Sequence, residues 1–148
     1  MRNAAGSSGR KKEKAMDSIR TQTGYLRVDA EKTRAYYAAV RPEELCACPG
    51  CQNYRSRVKR AYPRMAGYLK GLGIDIEKPF HVSYIEMDDP SRMLYLNCCY
   101  VAFGACSPDF RQQIGQMLFA KAGACPSSGV DEPHMALEIP QLELPWEE

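Results

Sequence analysis

From residue 25 onward the chain switches between short stretches that alternate apolar with polar and longer stretches with helical spacing. Tyr25-Leu26-Arg27-Val28 alternates and predicts a short strand. Asp29 stands where a helix N-cap is wanted, and the spacing over 30–40 predicts a helix with Tyr36 and Val40 on one face; Arg41-Pro42 ends it. A second helix runs out of Cys51. At about 100° per residue Tyr54, Val58, Ala61, Tyr62 and Met65 fall on one side, then Tyr68, Leu69 and Leu72, while Arg55, Lys59 and Arg60 project elsewhere. Pro63 has no amide hydrogen, so it predicts a break and opens a further short helix that Gly71 and Gly73 end.

The second half reads mainly as strands. Phe80, Val82 and Tyr84 alternate with His81, Ser83 and Ile85, Asp88-Asp89-Pro90-Ser91 is turn chemistry, and 93–103 is apolar on both faces. That pattern predicts an antiparallel hairpin whose second strand is buried on both sides. Ser107-Pro108-Asp109 predicts the start of another helix, with Phe110, Ile114, Met117 and Leu118 as its buried stripe and Gly123 as its stop. After a loop at Pro126-Ser127-Ser128-Gly129, a last strand over 135–144 changes apolar phase around Pro140, from Leu137 and Ile139 to Leu142 and Leu144. This is the pattern of a bulged edge strand. The order β-α-α-β-β-α-β predicts an α+β fold: one domain over 23–148, a mainly antiparallel sheet with a central hairpin packed against helices.

Composition adds limits. With 148 residues, 45% of them hydrophobic and 26% charged, the chain has the material for one core without staples. Residues 1–22 are small, polar and basic, and are expected to be a flexible leader. No apolar run follows its Lys11, Lys12 and Lys14, so it does not read as a signal peptide. The longest uncharged stretch, 93–108, is shorter than the ~20 apolar residues of a membrane helix. These features predict a cytoplasmic protein that makes no membrane contact.

The formal charge of +2 conceals a division. Residues 1–78 carry 17 Lys and Arg against 8 Asp and Glu, and residues 79–148 carry 3 against 10. No acidic residue stands between Glu44 and Asp75, and Arg55, Arg57, Lys59 and Arg60 crowd the helix in that window. A basic helix of this kind is a candidate nucleic-acid-binding surface. Equally, it is a solvated face, or one half of the chain facing the other.

Seven cysteines sit at 46, 48, 51, 98, 99, 106 and 125. An odd count with no export signal argues against an oxidised disulfide framework. Cys98 and Cys99 read as small core residues of a buried strand, and Cys106 and Cys125 read as equally ordinary. Cys46-x-Cys48-x-x-Cys51 is different, because Cys48-Pro49-Gly50-Cys51 is a spacing at which two sulfurs can reach one zinc ion. A structural zinc would need a fourth ligand from Cys98, Cys99, Cys106, Cys125, His81 or His134. The same Cys48 and Cys51 at a helix start could serve as a dithiol pair for thiol–disulfide exchange. Against that, Arg41-Pro42-Glu43-Glu44 precedes them where a redox motif of the thioredoxin type has a strand. Three reduced thiols at a tight turn are the remaining reading. No phosphate-binding loop, dinucleotide fingerprint, HExxH or GxSxG is present, and nothing in the sequence supports a catalytic residue.

Cys46-x-Cys48-x-x-Cys51-x-Asn53-Tyr54, Tyr62-Pro63 and Leu69-x-x-Leu72-Gly73-Ile74-Asp75-Ile76-x-Lys78-Pro79 resemble a small bacterial family of no established activity. That family is found in Gram-positive genomes, often in prophages and conjugative elements. The resemblance extends through 95–104 and the closing Leu144-Pro145-Trp146, covering about 24–104 and 135–146. It implies a cytosolic accessory protein of a mobile element, with the cysteine turn as part of the shared pattern. The expected function is therefore non-catalytic binding, with a protein partner and a cysteine turn that can hold structural zinc. Nucleic-acid binding and thiol–disulfide exchange stand as alternatives.

Overall fold

The computed structural model describes residues 22–146; 1–21, nearly all of the predicted leader, and 147–148 lie outside it. The described residues open with two short strands, β1 (Gln22–Thr23) and β2 (Leu26–Val28). Asp29 follows, and its carboxylate accepts the backbone N–H of Lys32 at 3.0 Å, capping α1 (Ala30–Ala39) as the sequence predicts. The inward face of α1 is Thr33 and Tyr37, while the expected Tyr36 and Val40 are half-buried. Polar tips decide this rotation: Tyr37 Oη donates to the carbonyl of Val101 at 2.7 Å, and Thr33 Oγ1 accepts the backbone N–H of Phe103 at 3.1 Å.

A 3-10 turn at Pro42–Glu44 leads to α2 (Pro49–Ala61) and α3 (Pro63–Gly71), divided at Tyr62 as Pro63 requires. The sheet strands follow: β3 (His81–Glu86), β4 (Arg92–Ala102), β5 (Gly104–Cys106), β6 (Arg111–Ile114), β7 (Met117–Lys121) and β8 (Met135–Pro145). Six of the strands make one antiparallel sheet in the order β1-β6-β7-β8-β4-β3, and β2 pairs with β5 in a separate ribbon. The ribbon depends on Gly104: at φ +141° a Cβ there would stand 2.0 Å from the carbonyl oxygen of Arg27.

The fold is α+β, with helices on a mostly antiparallel sheet as expected. Two expectations are corrected. The stretch beginning at Ser107 is not a helix but the β6–β7 hairpin, closed by a two-residue turn whose first residue, Gly115, has φ +61°. Phe110 and Phe119, both fully buried, pack edge to face in it at 6.4 Å, which satisfies the apolar positions that also fit a helical stripe. Nor is β8 an edge strand, because it lies between β7 and β4. The phase change at Pro140 is nevertheless present, and β4 matches it. Buried positions in β4 shift from Met93 and Tyr95 to Cys98 and Tyr100 across Asn97, which has φ +51° and stands opposite Pro140. Pro140 is tolerated because β7 covers only Leu137 and Glu138, so β8 needs no partner there for the missing N–H.

Helices and sheet meet through Tyr54, Val58 and Tyr68 on one side and Tyr95, Cys98, Tyr100 and Phe119 on the other. The seam is apolar but carries a chain of satisfied hydroxyls. Tyr54 donates to Tyr100 Oη at 2.6 Å, and Tyr100 donates to the carbonyl of Ile76 at 2.6 Å. Beside it the buried Asn53 donates to Tyr95 Oη (3.1 Å) and to the carbonyl of Pro145 (2.9 Å), while Tyr95 donates to the carbonyl of Gly50 (2.8 Å). That network fixes the first turn of α2, and so the cysteine turn, against the sheet.

Candidate metal centre at the cysteine turn

The cysteine turn is built by three local constraints. Cys48 is the N-cap residue of α2 in extended backbone, and Pro49 at the first helical position supplies the φ a helix start needs. Gly50 comes next, where a Cβ would stand 2.0 Å from the ring of Tyr84, so only glycine lets α2 lie this close to β3. Arg55, one turn on, reaches back and donates to the carbonyl of Cys46 at 2.6 Å. The outcome is a hook that brings Cys46, Cys48 and Cys51 together, with all three sulfurs within 4.8 Å of one another. Two sulfurs bound to one zinc at about 2.3 Å in a tetrahedron stand roughly 3.8 Å apart, so only small side-chain rotations separate this arrangement from a ligand set. The three cysteines lie close together and can hold a metal ion.

The environments of the three differ. Cys46 is exposed, and Cys48 and Cys51 are half-buried. The Tyr84 hydroxyl stands 3.4 Å from Cys48 Sγ. Its hydrogen bond, then the backbone N–H of Cys51, lowers the Cys48 thiol to about 6. Burial, followed by hydrogen bonding to Cys48 and Cys46, pushes Cys51 up to about 12. One thiol is thus held ready as a thiolate while its neighbour keeps its proton until a cation displaces it.

The candidates for a fourth ligand are dispersed. Cys98 is fully buried beside Tyr54, and Cys106 lies in the β2–β5 ribbon. His134 is hydrogen-bonded to Ser128 at 2.8 Å. Cys99 and Cys125 are joined in a disulfide, which corrects the reading of Cys99 as a small core residue and Cys125 as ordinary, and leaves five cysteines free. Nothing in the local pattern links this pair, because 26 residues separate them and only the pairing of the strands carries the loop after β7 back to β4. Only His81 of that set lines the same cleft as Cys46 and Cys51, a cleft of about 360 Å³ that Arg55 and Ser128 also border. Tyr84 is the contributor that sequence reasoning missed. It reads as one alternating strand residue, and nothing in its neighbours links it to Cys48.

The basic helix is divided by the fold. Arg55 holds the cysteine turn, and Arg57 donates to Asn53 Oδ1 at 2.8 Å. Lys59 and Arg60 are exposed. Lys59 borders a second cleft of about 290 Å³ with Arg34, Lys70 and Lys78, around an apolar floor that includes Tyr37 and Ile74. Lys78 is fixed there by donating to the carbonyls of Tyr37 (2.8 Å) and Val40 (3.0 Å) at the end of α1.

Among the described residues, no helix is long and apolar enough to cross a membrane. Compared with known proteins, the chain matches no protein-family model, no curated protein and no solved structure.

Proposed function

We propose that this protein is a non-catalytic binding protein whose cysteine turn is closed by a zinc ion held by Cys46, Cys48 and Cys51. The reading is supported above all by the convergence of the three sulfurs within 4.8 Å at the N-terminus of α2. Borderline-soft Zn2+ suits a thiolate set, and an ion here would tie the loop after the 3-10 turn to the helix that Asn53 and Tyr54 root in the sheet. The fourth position is left to water or to a donor from the protein partner. A cytoplasmic accessory role for a mobile element agrees with the family that the motifs resemble.

Metal content and free-thiol count, taken together on protein purified under reducing conditions without chelator, test it. The expected result is one zinc per chain at this site, lost in Cys46→Ser together with thermal stability. A metal-free protein whose Cys46, Cys48 and Cys51 all react freely with a thiol reagent would refute it.

A second reading, thiol–disulfide exchange, is favoured by the placement of Cys48 at the helix N-cap with half-buried Cys51 three residues on. Cys48 thiolate would attack a substrate disulfide, and Cys51 would then displace the mixed disulfide, leaving a Cys48–Cys51 bond and a reduced substrate. Metal-stripped protein that closes this bond with oxidised glutathione, and reduces a peptide disulfide, would put exchange ahead of zinc.

A further inference from the structure

Strand register sets out a second group of metal-type ligands on the opposite face of the sheet. Cys98 points toward Tyr54 and the helices, so Cys99, the next residue of β4, points away from them. Directly opposite Cys99 stand His81 on β3 and Glu138 on β8. The three form one row across three adjacent strands, and directly opposed residues carry Cβ atoms about 4.5–5.5 Å apart. Over this row lies loop 122–134, which contributes Cys125. The two sulfurs and a Glu138 carboxylate oxygen all stand within 4.8 Å of one another.

This group contains an anomaly. Glu138 Oε1 is buried and has no hydrogen-bond partner, alone in this among the side-chain nitrogens and oxygens of the described residues. Such an atom costs roughly 1–3 kcal/mol, more when charged, and persists where something else satisfies it. Here its neighbours are the two sulfurs, and His81 stands one strand further along the row, on the far side of Cys99. His81 Nε2 is 3.0 Å from Ser83 Oγ, which leaves Nδ1 without a hydrogen-bond partner among the described residues.

We propose that Cys99, Cys125, Glu138 and His81 form a second zinc site, one that exists only when the Cys99–Cys125 disulfide is reduced. Reduction takes two electrons and two protons from a dithiol, which closes to its own disulfide, and breaks the S–S bond into two thiols. Zinc then replaces the two thiol protons, which leave to solvent, and Glu138 Oε1 gains the cation it lacks. The donor set of two sulfurs, one carboxylate oxygen and one imidazole nitrogen is one that zinc accepts in a tetrahedron. Access is in place, because Cys125 is half-buried in a surface loop whereas Cys99 is fully enclosed. A reductant therefore meets Cys125 first. In either redox state the loop stays fastened to β4, by a covalent bond in one and by an ion in the other.

The test uses the full chain carrying Cys46→Ser, which removes the first cluster at an exposed position. It is titrated with Co2+ and then Zn2+, once with the disulfide intact and once after reduction by a phosphine that is then removed. Expected are no tight metal in the oxidised state and one per chain in the reduced state, with the sulfur-to-cobalt absorption of thiolate ligation. Glu138→Gln and His81→Ala should each weaken the reduced-state metal by roughly tenfold or more. Both should still form the disulfide in air, which reports that the fold is kept. Wild-type protein gives a parallel readout, its metal stoichiometry rising by one on reduction. Reduced Cys46→Ser protein that binds nothing, or Glu138→Gln with unchanged affinity, would overturn the proposal. Absence of metal from oxidised wild type would instead count against the Cys46 cluster alone.

Discussion

At the scale of single residues, the interior is decided by polar tips as much as by apolar bulk. Tyr54 and Tyr100 are fully buried, yet each hydroxyl is paired, and the chain ends on the carbonyl of Ile76. Tyr54→Phe keeps the ring and removes one donor, leaving Tyr100 Oη without the hydrogen bond it accepts. The expected cost is about 1–3 kcal/mol, read as a lower urea midpoint with an unchanged slope. Asn53 shows what single-residue sequence reading can and cannot do. The CxCxxCxNY pattern marks it, and the helical face explains Tyr54 beside it. The reason for an asparagine is its pair of donor bonds to Tyr95 and the carbonyl of Pro145, 92 residues away. Glu138 is the converse, an unremarkable strand residue in sequence whose orphaned oxygen becomes visible only when the strands are paired.

At the scale of elements, local chemistry carried α1, the break at Pro63, the β3–β4 hairpin and β8. Each of these has a cap, a proline or a clean alternation to declare it. The segment 107–122 departs from the helix its pattern predicts for a physical reason: Phe110, Ile114 and Met117 satisfy a helical spacing and a hairpin equally well. Gly115-Gln116 between two short runs is the hairpin signal, with Gly115 at the positive φ the tight turn needs. Three-dimensional pairing then decides the case, since the hairpin gives β1 a partner and fills the sheet beside β8. The Cys99–Cys125 bond belongs to this scale too, because it fastens loop 122–134 to β4. Cys125→Ser in metal-free protein should lower unfolding free energy by roughly 2–4 kcal/mol. In the wild type, denatured without reductant and stripped of metal, five thiols should react with a thiol reagent and seven after reduction. Seven in both conditions would show that the bond is absent.

At the scale of the molecule, the charge division of the sequence becomes a division of layers. The basic stretch 45–74 is mostly helix, and the acidic half from residue 79 on is mostly sheet. A polyanion should therefore meet the helical side. Short duplex DNA is expected to bind weakly, with affinity falling as log salt rises by a slope of about −0.9 per phosphate contacted. The double charge reversal Lys59→Glu/Arg60→Glu should abolish it, since both side chains are exposed while Arg55 and Arg57 are engaged within the turn and helix. Binding that ignores both salt and reversal would remove nucleic acid from the candidates. The candidate centre itself was legible as three cysteines and no further. Spacing gives the hook, whereas Tyr84, His81 and loop 122–134 arrive from distant parts of the chain through the sheet.

The position of β8 has a consequence for how the protein comes into being. This strand joins β7 to β4, yet it is the last of the described strands to be synthesised. Until it emerges from the ribosome, β3–β4 and β1–β6–β7 are separate pieces, each with an open edge facing the place β8 will take. The disulfide partners lie on opposite sides of that gap, Cys99 in β4 and Cys125 just beyond β7. Folding of this chain is therefore a closing step that waits for β8 to emerge. The nascent protein passes through a stage with two unpaired strand edges, the state in which sheet proteins are most exposed to mispairing.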